Sequence, residues 1–357
     1  MVSMKPEPRF SDHRRNRRAQ AAIAAGAAGA AGAARTHLRH RKRIKSDPDT
    51  ALLGARLAGR PVAVRSADGT VLHAEIFGPE GAPTIVLAHG WTEALRLWTH
   101  QIRDLSKDFR VVAYDQRGHG ASSRAASGEY TMQRLAEDFE AVLNACVPAG
   151  ERAVVAGHSM GAMTVAAWAE SHDVASRIAA VALVNTGVGG LIDDSQLIVV
   201  KSAKLDAVIR EPFGRKVFLG NPAPMPNIST RIHHAVLRYV AFGPTAGPGQ
   251  IEFMFGMVRQ CRAGVRAAFG RAMADMELHH ALARIDVPTI VIAGEKDRLT
   301  PVSHARRMAE LVAGETEVIV LPEIGHMGPI EAPAAYNAAF RALAARATPQ
   351  TELALAA

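Results

Sequence analysis

A serine at position 159 stands between two glycines in the stretch VVAGHSMGAMT (154–164), after an apolar run and ahead of a helical pattern. Gly157 and Gly161 let the backbone turn sharply, and a turn of this G-x-S-x-G form lifts the serine hydroxyl above a sheet. A hydroxyl is a weak nucleophile until a base takes its proton. The stretch therefore has chemical meaning only if the chain also supplies a base, an acid and a site for negative charge.

Among 15 histidines, His326 is the one placed as a base, in LPEIGHMGPIEAP, a glycine-flanked loop just past the last apolar run. His158 adjoins the serine and reads as part of the turn, and the pair His279 and His280 reads as surface. The acid is sought in AGEKDRLTP, where Asp297 sits deeper in the loop and is favoured over Glu295, with Asp193 or Asp194 as further alternatives. A carboxylate in this role fixes the histidine tautomer and stabilises the imidazolium. For the oxyanion, LAHGWTEA offers the backbone N–H of Trp91, to be paired with that of Met160. Removing one such donor typically costs ~10²–10³ in rate.

These residues need a frame that brings them to one place. From Arg60 onward short apolar runs alternate with helical patterns: PVAVRS and VLHAEIF around an Asp-Gly turn, TIVLAHG, RVVAYD, RAVVAGHS, IAAVALVN, VPTIVIAGEKD and TEVIVLPEIGH. Asp-Gly is a hairpin signal, and unbroken apolar runs suit strands buried on both faces. The expected fold class is α/β, a mostly parallel sheet with helices on both faces. Residues 188–283 break the rhythm with helical patterns and no buried strand, and predict a helical cap between two core segments, 51–187 and 284–347. Ligands of such sheets bind at the carboxyl ends of the strands. Phe253, Met254, Phe255, Met257, Met273 and Met276 cluster within this excursion. Most read as core, and some as a soft apolar lining beneath the cap.

The net charge of +8 lies wholly in residues 1–50, which carry 12 lysines and arginines against four carboxylates. The rest of the chain is neutral, which argues against a nucleic-acid-binding core. Residues 1–50 read as a flexible basic, Ala/Gly-rich tail, with Ser46–Thr50 as a linker and 348–357 as a short C-terminal tail. The expected location is the cytoplasm, with the basic tail able to touch an anionic membrane surface. Two distant cysteines, Cys146 and Cys261, give no disulfide or metal pattern and read as buried hydrophobes. No phosphate-loop spacing occurs, and no cofactor or metal is expected.

In order along the chain, HGW, YDQRGHGAS (Tyr114–Ser122), GHSMGA, GEKD and GHMG resemble the motifs of the α/β-hydrolase fold superfamily, over residues from about 60 to 347. The resemblance implies a serine hydrolase of the esterase or lipase type, with a lid and a Ser159–Asp297–His326 triad, and a scaffolding role for Asp115, Arg117 and Gly118. Epoxide hydrolases and haloalkane dehalogenases of that superfamily use an aspartate nucleophile. Here the position is Ser159, and the loop reads H-G-W-T, not H-G-x-P. What remains is acyl transfer to water on an apolar carboxylic ester. Two alternatives stay open: the same triad acting on a carbon–carbon bond, lactone, thioester or peracid, and a non-catalytic receptor.

Overall fold

In the computed structural model, which describes residues 32, 34–196 and 219–347, eight strands form one sheet in the order β1-β2-β4-β3-β5-β6-β7-β8. They are β1 (Arg60–Arg65), β2 (Val71–Phe77), β3 (Thr84–Ala88), β4 (Arg110–Tyr114), β5 (Ala153–His158), β6 (Ile178–Val184), β7 (Thr289–Gly294) and β8 (Thr316–Leu321). β2 runs antiparallel to β1 and β4, and every other neighbouring pair is parallel. The β1–β2 hairpin turns through Asp68-Gly69, where Gly69 has φ +84° and Asp68 accepts from the Thr70 N–H at 3.0 Å. β3, β5 and β7 are buried along their whole length, as their unbroken apolar runs require.

The helices are α1 (34–45), α2 (Pro48–Gly54), α3 (Thr99–Leu105), α4 (Met132–Cys146), α5 (Met160–Ala169), α6 (Val174–Arg177), α7 (Arg231–Ala241), α8 (Pro248–Gln260), α9 (Ala263–Ala274), α10 (Val302–Leu311), α11 (Gly328–Glu331) and α12 (Pro333–Ala347). Thr131 caps α4 by accepting from the Arg134 N–H. Leu135, Phe139, Val142, Leu143 and Cys146 then fall on one buried face at helical spacing. That face meets α5, all ten residues of which are buried, and Phe139 stacks edge-on against Trp168 at 5.7 Å. On the opposite face of the sheet Trp98 meets Phe340 of α12, at the centre of a second core. The sheet is thus covered on both sides, as expected.

Among the described residues the excursion between β6 and β7 contains the helices α7, α8 and α9, joined by turns and irregular segments. The part of the expected cap at 197–218, residues 1–31 and 33 of the basic segment, and the expected C-terminal tail at 348–357 lie outside the described residues. The end of the basic segment differs from the expected tail and linker, because residues 34–45 form α1 and Pro48 opens α2. Local chemistry accounts for this. Ile44 is buried, Asp47 caps α2 through the Asp49 N–H, and its second oxygen accepts from the Gly249 N–H of α8. Among the described residues no helix is long and apolar enough to cross a membrane.

Beside the site, Arg117 is fully buried and grips Asp138 through two bonds of 2.6 and 2.7 Å, with Asp68 at 3.0 Å. Asp115 accepts from the N–H groups of Leu95 and Ala121, which ties together the loops that follow β3 and β4. These are scaffold positions.

Candidate active site

β5 ends at His158, and the next residue bends the chain back into α5. Ser159 has φ +48° and ψ −117°, a conformation unfavourable for a residue with a Cβ. The turn is locked by the Ser159 N–H donating to Val184 O at 2.9 Å and by the Thr186 hydroxyl donating to Ser159 O at 2.9 Å. Both flanking glycines are sterically required. A Cβ on Gly157 would lie 2.5 Å from Ala162 N, and one on Gly161 would lie 2.2 Å from Ala88 O.

His326 arrives on the loop after β8, and its Nδ1 lies 2.8 Å from Asp297 Oδ2. Asp297 is held by a cage of donors. Oδ1 accepts from the N–H groups of Leu299 and Thr300, each at 2.9 Å, and Oδ2 from the Thr300 hydroxyl at 2.9 Å and Asn185 Nδ2 at 3.3 Å. Burial favours the protonated acid, but His326 and the Thr300 donors outweigh it and hold the carboxyl below its ordinary range. The alternative acids lie elsewhere. Glu295 is half exposed beside Lys296, and Asp194 pairs with Arg307 at 3.2 Å.

Ser159 and His326 both face a cavity of about 250 Å³ at the carboxyl ends of the strands. Its walls are mainly apolar, with Trp91, Met163, Leu237, Val240, Met254 and Met273 among them. Of the six aromatic and methionine residues singled out in the excursion, Met254 and Met273 line this cavity. Phe255 instead stacks on His233, Phe253 lies beneath the Arg96 guanidinium, and Met257 and Met276 join the cores. Trp91 lines the cavity and is anchored by its indole N–H on Arg266 O at 3.0 Å. Met160 opens α5 at its first position, where a backbone N–H has no acceptor within the helix.

Sequence reasoning missed three supporting residues. Glu93 is buried, accepts from the Gly90 N–H at 2.5 Å and meets His158 Nδ1 at 3.1 Å. The other nitrogen of His158 donates to the carbonyl of His326 at 2.9 Å. Burial pulls His158 towards its neutral form, but Glu93 overcomes this and holds its pKa above the ordinary histidine value. An imidazolium suits a ring with an acceptor at each nitrogen. Asn185 has φ +44° and joins Asp297 to the carbonyl of Gly325, one residue before His326. Thr300 completes the cage. The available signals were Glu93 three residues after Gly90, Thr300 three after Asp297, and an asparagine directly after β6, since Asn tolerates positive φ better than most residues.

His89 is buried and kept neutral by burial. Its Nδ1 donates to Gly90 O, and its Nε2 accepts from the Gln116 N–H at 2.9 Å. His279 and His280 bond to Glu277 and Glu170 away from the cavity. Cys146 and Cys261 are buried, which pushes each thiol up to about 11. Among the described residues no grouping of three or more His, Cys, Asp or Glu side chains is arranged to hold a metal ion.

The family model described as "alpha/beta hydrolase fold" matches residues 83–333. The chain is 26% identical over 287 residues to 3-oxoadipate enol-lactonase 2 of Acinetobacter baylyi, covering 79% of this chain and 96% of the relative. The crystal structure of the enol-lactonase from Burkholderia xenovorans superposes with a TM-score of 0.60 at 27% identity, over 80% of this chain and all of that one. A thermophilic esterase from Thermogutta terrifontis superposes with a TM-score of 0.65 over 81% of this chain and all of that one, and at 22% identity this likeness bears on the fold.

Proposed function

Because the chain belongs to the alpha/beta hydrolase fold family, we propose that this hydrolase cleaves an apolar carboxylic ester through a serine acyl-enzyme. The observation that carries the reading is the 2.8 Å bond between His326 and a caged, ionised Asp297, beside a strained Ser159 in one apolar cavity. Asp297 holds the proton of His326 on Nδ1, which leaves Nε2 bare to take the proton of the Ser159 hydroxyl. The serine oxygen attacks the carbonyl carbon. The oxyanion is met by the N–H groups of Met160 and Trp91, where no charge has to be brought from solvent. His326 returns the proton to the leaving alkoxide, and water repeats the cycle to release the acid. No cofactor takes part.

The helices between β6 and β7 act as the cap, with Met254 and Met273 forming part of the acyl pocket. Its volume lies just below the ~300–1,000 Å³ of pockets for drug-sized ligands, which favours a small ester. The basic N-terminal segment adds contact with an anionic membrane surface. A second reading, hydrolysis of a lactone by the same triad, draws its support from the two enol-lactonases above. The deciding experiment sets p-nitrophenyl esters of increasing acyl length and a lactone panel before the wild type and Ser159→Ala. The expected result is ester turnover that Ser159→Ala abolishes. Rapid turnover of lactones alone moves the reading to the second form. Undiminished activity in Ser159→Ala, or no labelling of the wild type by a fluorophosphonate, sinks both.

A further inference from the structure

Helix α7 turns three different faces to its surroundings. Leu237, Val240 and Ala241 line the catalytic cavity. Arg231, His234 and Arg238 face α1, and with His40 and Arg43 they line a cleft of about 240 Å³. The third face is apolar and turned outward. Ile232, Val236 and Tyr239, spaced at i, i+4 and i+7, are 73, 54 and 44% exposed, and Ile228 just before the helix is 65% exposed. A stripe of this kind on a charged helix is characteristic of elements that lie in a membrane interface, where tyrosine is also favoured.

The charge beside the stripe has one sign. Neither α7 nor α1 contains a carboxylate, and together they carry Arg35, Arg39, Arg41, Lys42, Arg43, Lys45, Arg231 and Arg238. Arg298 adds a guanidinium 4.8 Å above the Tyr239 ring. Among the described residues, the acid that meets these helices is Glu252 of α8, and it is taken up by Arg41 and His234, each at 2.8 Å. The two helices are held together there, with the rings of His40 and His234 edge-on at 4.5 Å. Arg238 donates to the carbonyls of Pro244 and Ala246. Among the described residues no carboxylate pairs with Arg43 or Arg231. His40 Nε2 is buried without a hydrogen-bond partner. The chain ahead of α1 continues the sign with Lys5, Arg9, Arg14, Arg15, Arg17 and Arg18 against Glu7 and Asp12.

We propose that this face docks on an anionic phospholipid bilayer. Ile228, Ile232, Val236 and Tyr239 enter the boundary between headgroups and acyl chains, and lipid phosphate sits in the cleft among His40, Arg43 and Arg231. This goes beyond a tail attracted by charge, because it names a folded surface with an apolar anchor. It rests on no chemistry at Ser159. It does place the lipid about one helix diameter, ~10 Å, from the cavity that the opposite side of α7 lines. An apolar ester dissolved in the bilayer then reaches the site without crossing bulk water.

The test is co-sedimentation of the full chain with vesicles of phosphatidylcholine alone or mixed with phosphatidylglycerol. Wild type and Ser159→Ala both bind the mixed vesicles, the pure ones far less, and binding weakens as salt is raised. Ile232→Glu with Val236→Glu lowers the partition coefficient about tenfold or more. Arg43→Ala with Arg231→Ala lowers it about 30-fold, the effect of two surface cations. Both variants keep wild-type turnover of a soluble ester, which certifies the fold, and Ile232→Ser stands in if the double glutamate does not fold. The proposal is overturned if the stripe variants sediment like wild type, since binding then belongs to the basic tail alone. It is equally overturned if wild type binds neither vesicle, or if light scattering shows that the stripe joins two copies of the chain in place of lipid binding. Loss of ester turnover in every protein with lipid binding intact would sink the hydrolytic reading and leave this one standing.

Discussion

Replacing the Asp297 carboxylate by asparagine exchanges one oxygen for an NH2 group of nearly the same shape, and the surrounding cage dictates the result. Oδ1 accepts two backbone N–H bonds at 2.9 Å from Leu299 and Thr300. Only an oxygen can stay there, so the new amide nitrogen takes the place of Oδ2, 2.8 Å from His326 Nδ1. The amide now donates where the carboxylate accepted. His326 answers by accepting at Nδ1 and carrying its proton on Nε2, the nitrogen that must be bare to deprotonate Ser159. We expect kcat for a p-nitrophenyl ester to fall about 10⁴-fold, which corresponds to about 5.5 kcal/mol of transition-state stabilisation. The fold tolerates the change, because both backbone bonds survive. The amide nitrogen meets both groups that donated to Oδ2: the Thr300 hydroxyl at 2.9 Å can turn to accept, but Asn185 Nδ2 at 3.3 Å is a second donor, a mismatch that costs about 1–3 kcal/mol in thermal or denaturant unfolding. Asp297→Ala loses the whole cage and should be as inactive but much less stable. Activity of Asp297→Asn within tenfold of wild type, in a protein shown to be folded, would refute the assignment, because no carboxylate would then be setting the tautomer of His326.

Two other substitutions probe the support of the site. Glu93→Gln removes the charge that raises His158. A histidine with a raised pKa contributes stability that is complete below its unfolded value, 6.5, and is lost as pH rises through the folded value. Wild type should therefore lose stability as pH climbs above 6.5 and Glu93→Gln should lose less, so their melting temperatures converge; parallel curves would show that the pair carries no charge. Gly161→Ala forces a Cβ to 2.2 Å from Ala88 O and should destabilise the fold by at least about 3 kcal/mol in urea unfolding, whereas a cost under 1 kcal/mol would mean the elbow is not the tight turn described.

Much of this arrangement was legible in the sequence, for identifiable reasons. β3, β5 and β7 are buried on both faces, so each appears as an unbroken apolar run. The elbow was legible because its two glycines are required by backbone contacts, which no other residue satisfies. α4 was legible from Met132 to Cys146 because one of its faces is buried and its cap is a threonine. α1 was not, because its charged residues point to solvent and Ile44 is the buried residue among 41–45. Its order comes from Glu252 and His234, some two hundred residues away. α7 misleads in a related way, since part of its apolar surface faces outward. Glu93 escaped notice because its partner, His158, lies 65 residues further along and only the sheet brings them together. The sequence favoured Asp297 over Glu295 by its depth in the loop, and the structure shows these two carboxylates, two residues apart, in a caged and a solvated setting.

The register between β6 and β7 has a consequence for how such a chain diversifies. Val181 pairs with Thr289 and Val184 with Ile292, so the chain leaves the sheet and returns to a neighbouring place after about a hundred residues. Ser159 lies before this departure, and Asp297 and His326 lie after the return. Closing a flexible loop twice as long costs only about 0.6 kcal/mol more. Insertions, deletions or wholesale replacement between the two strands therefore reshape the apolar cavity and the outward surface while Ser159, Asp297 and His326 stay where the sheet holds them. Selectivity and chemistry can vary separately on such a chain.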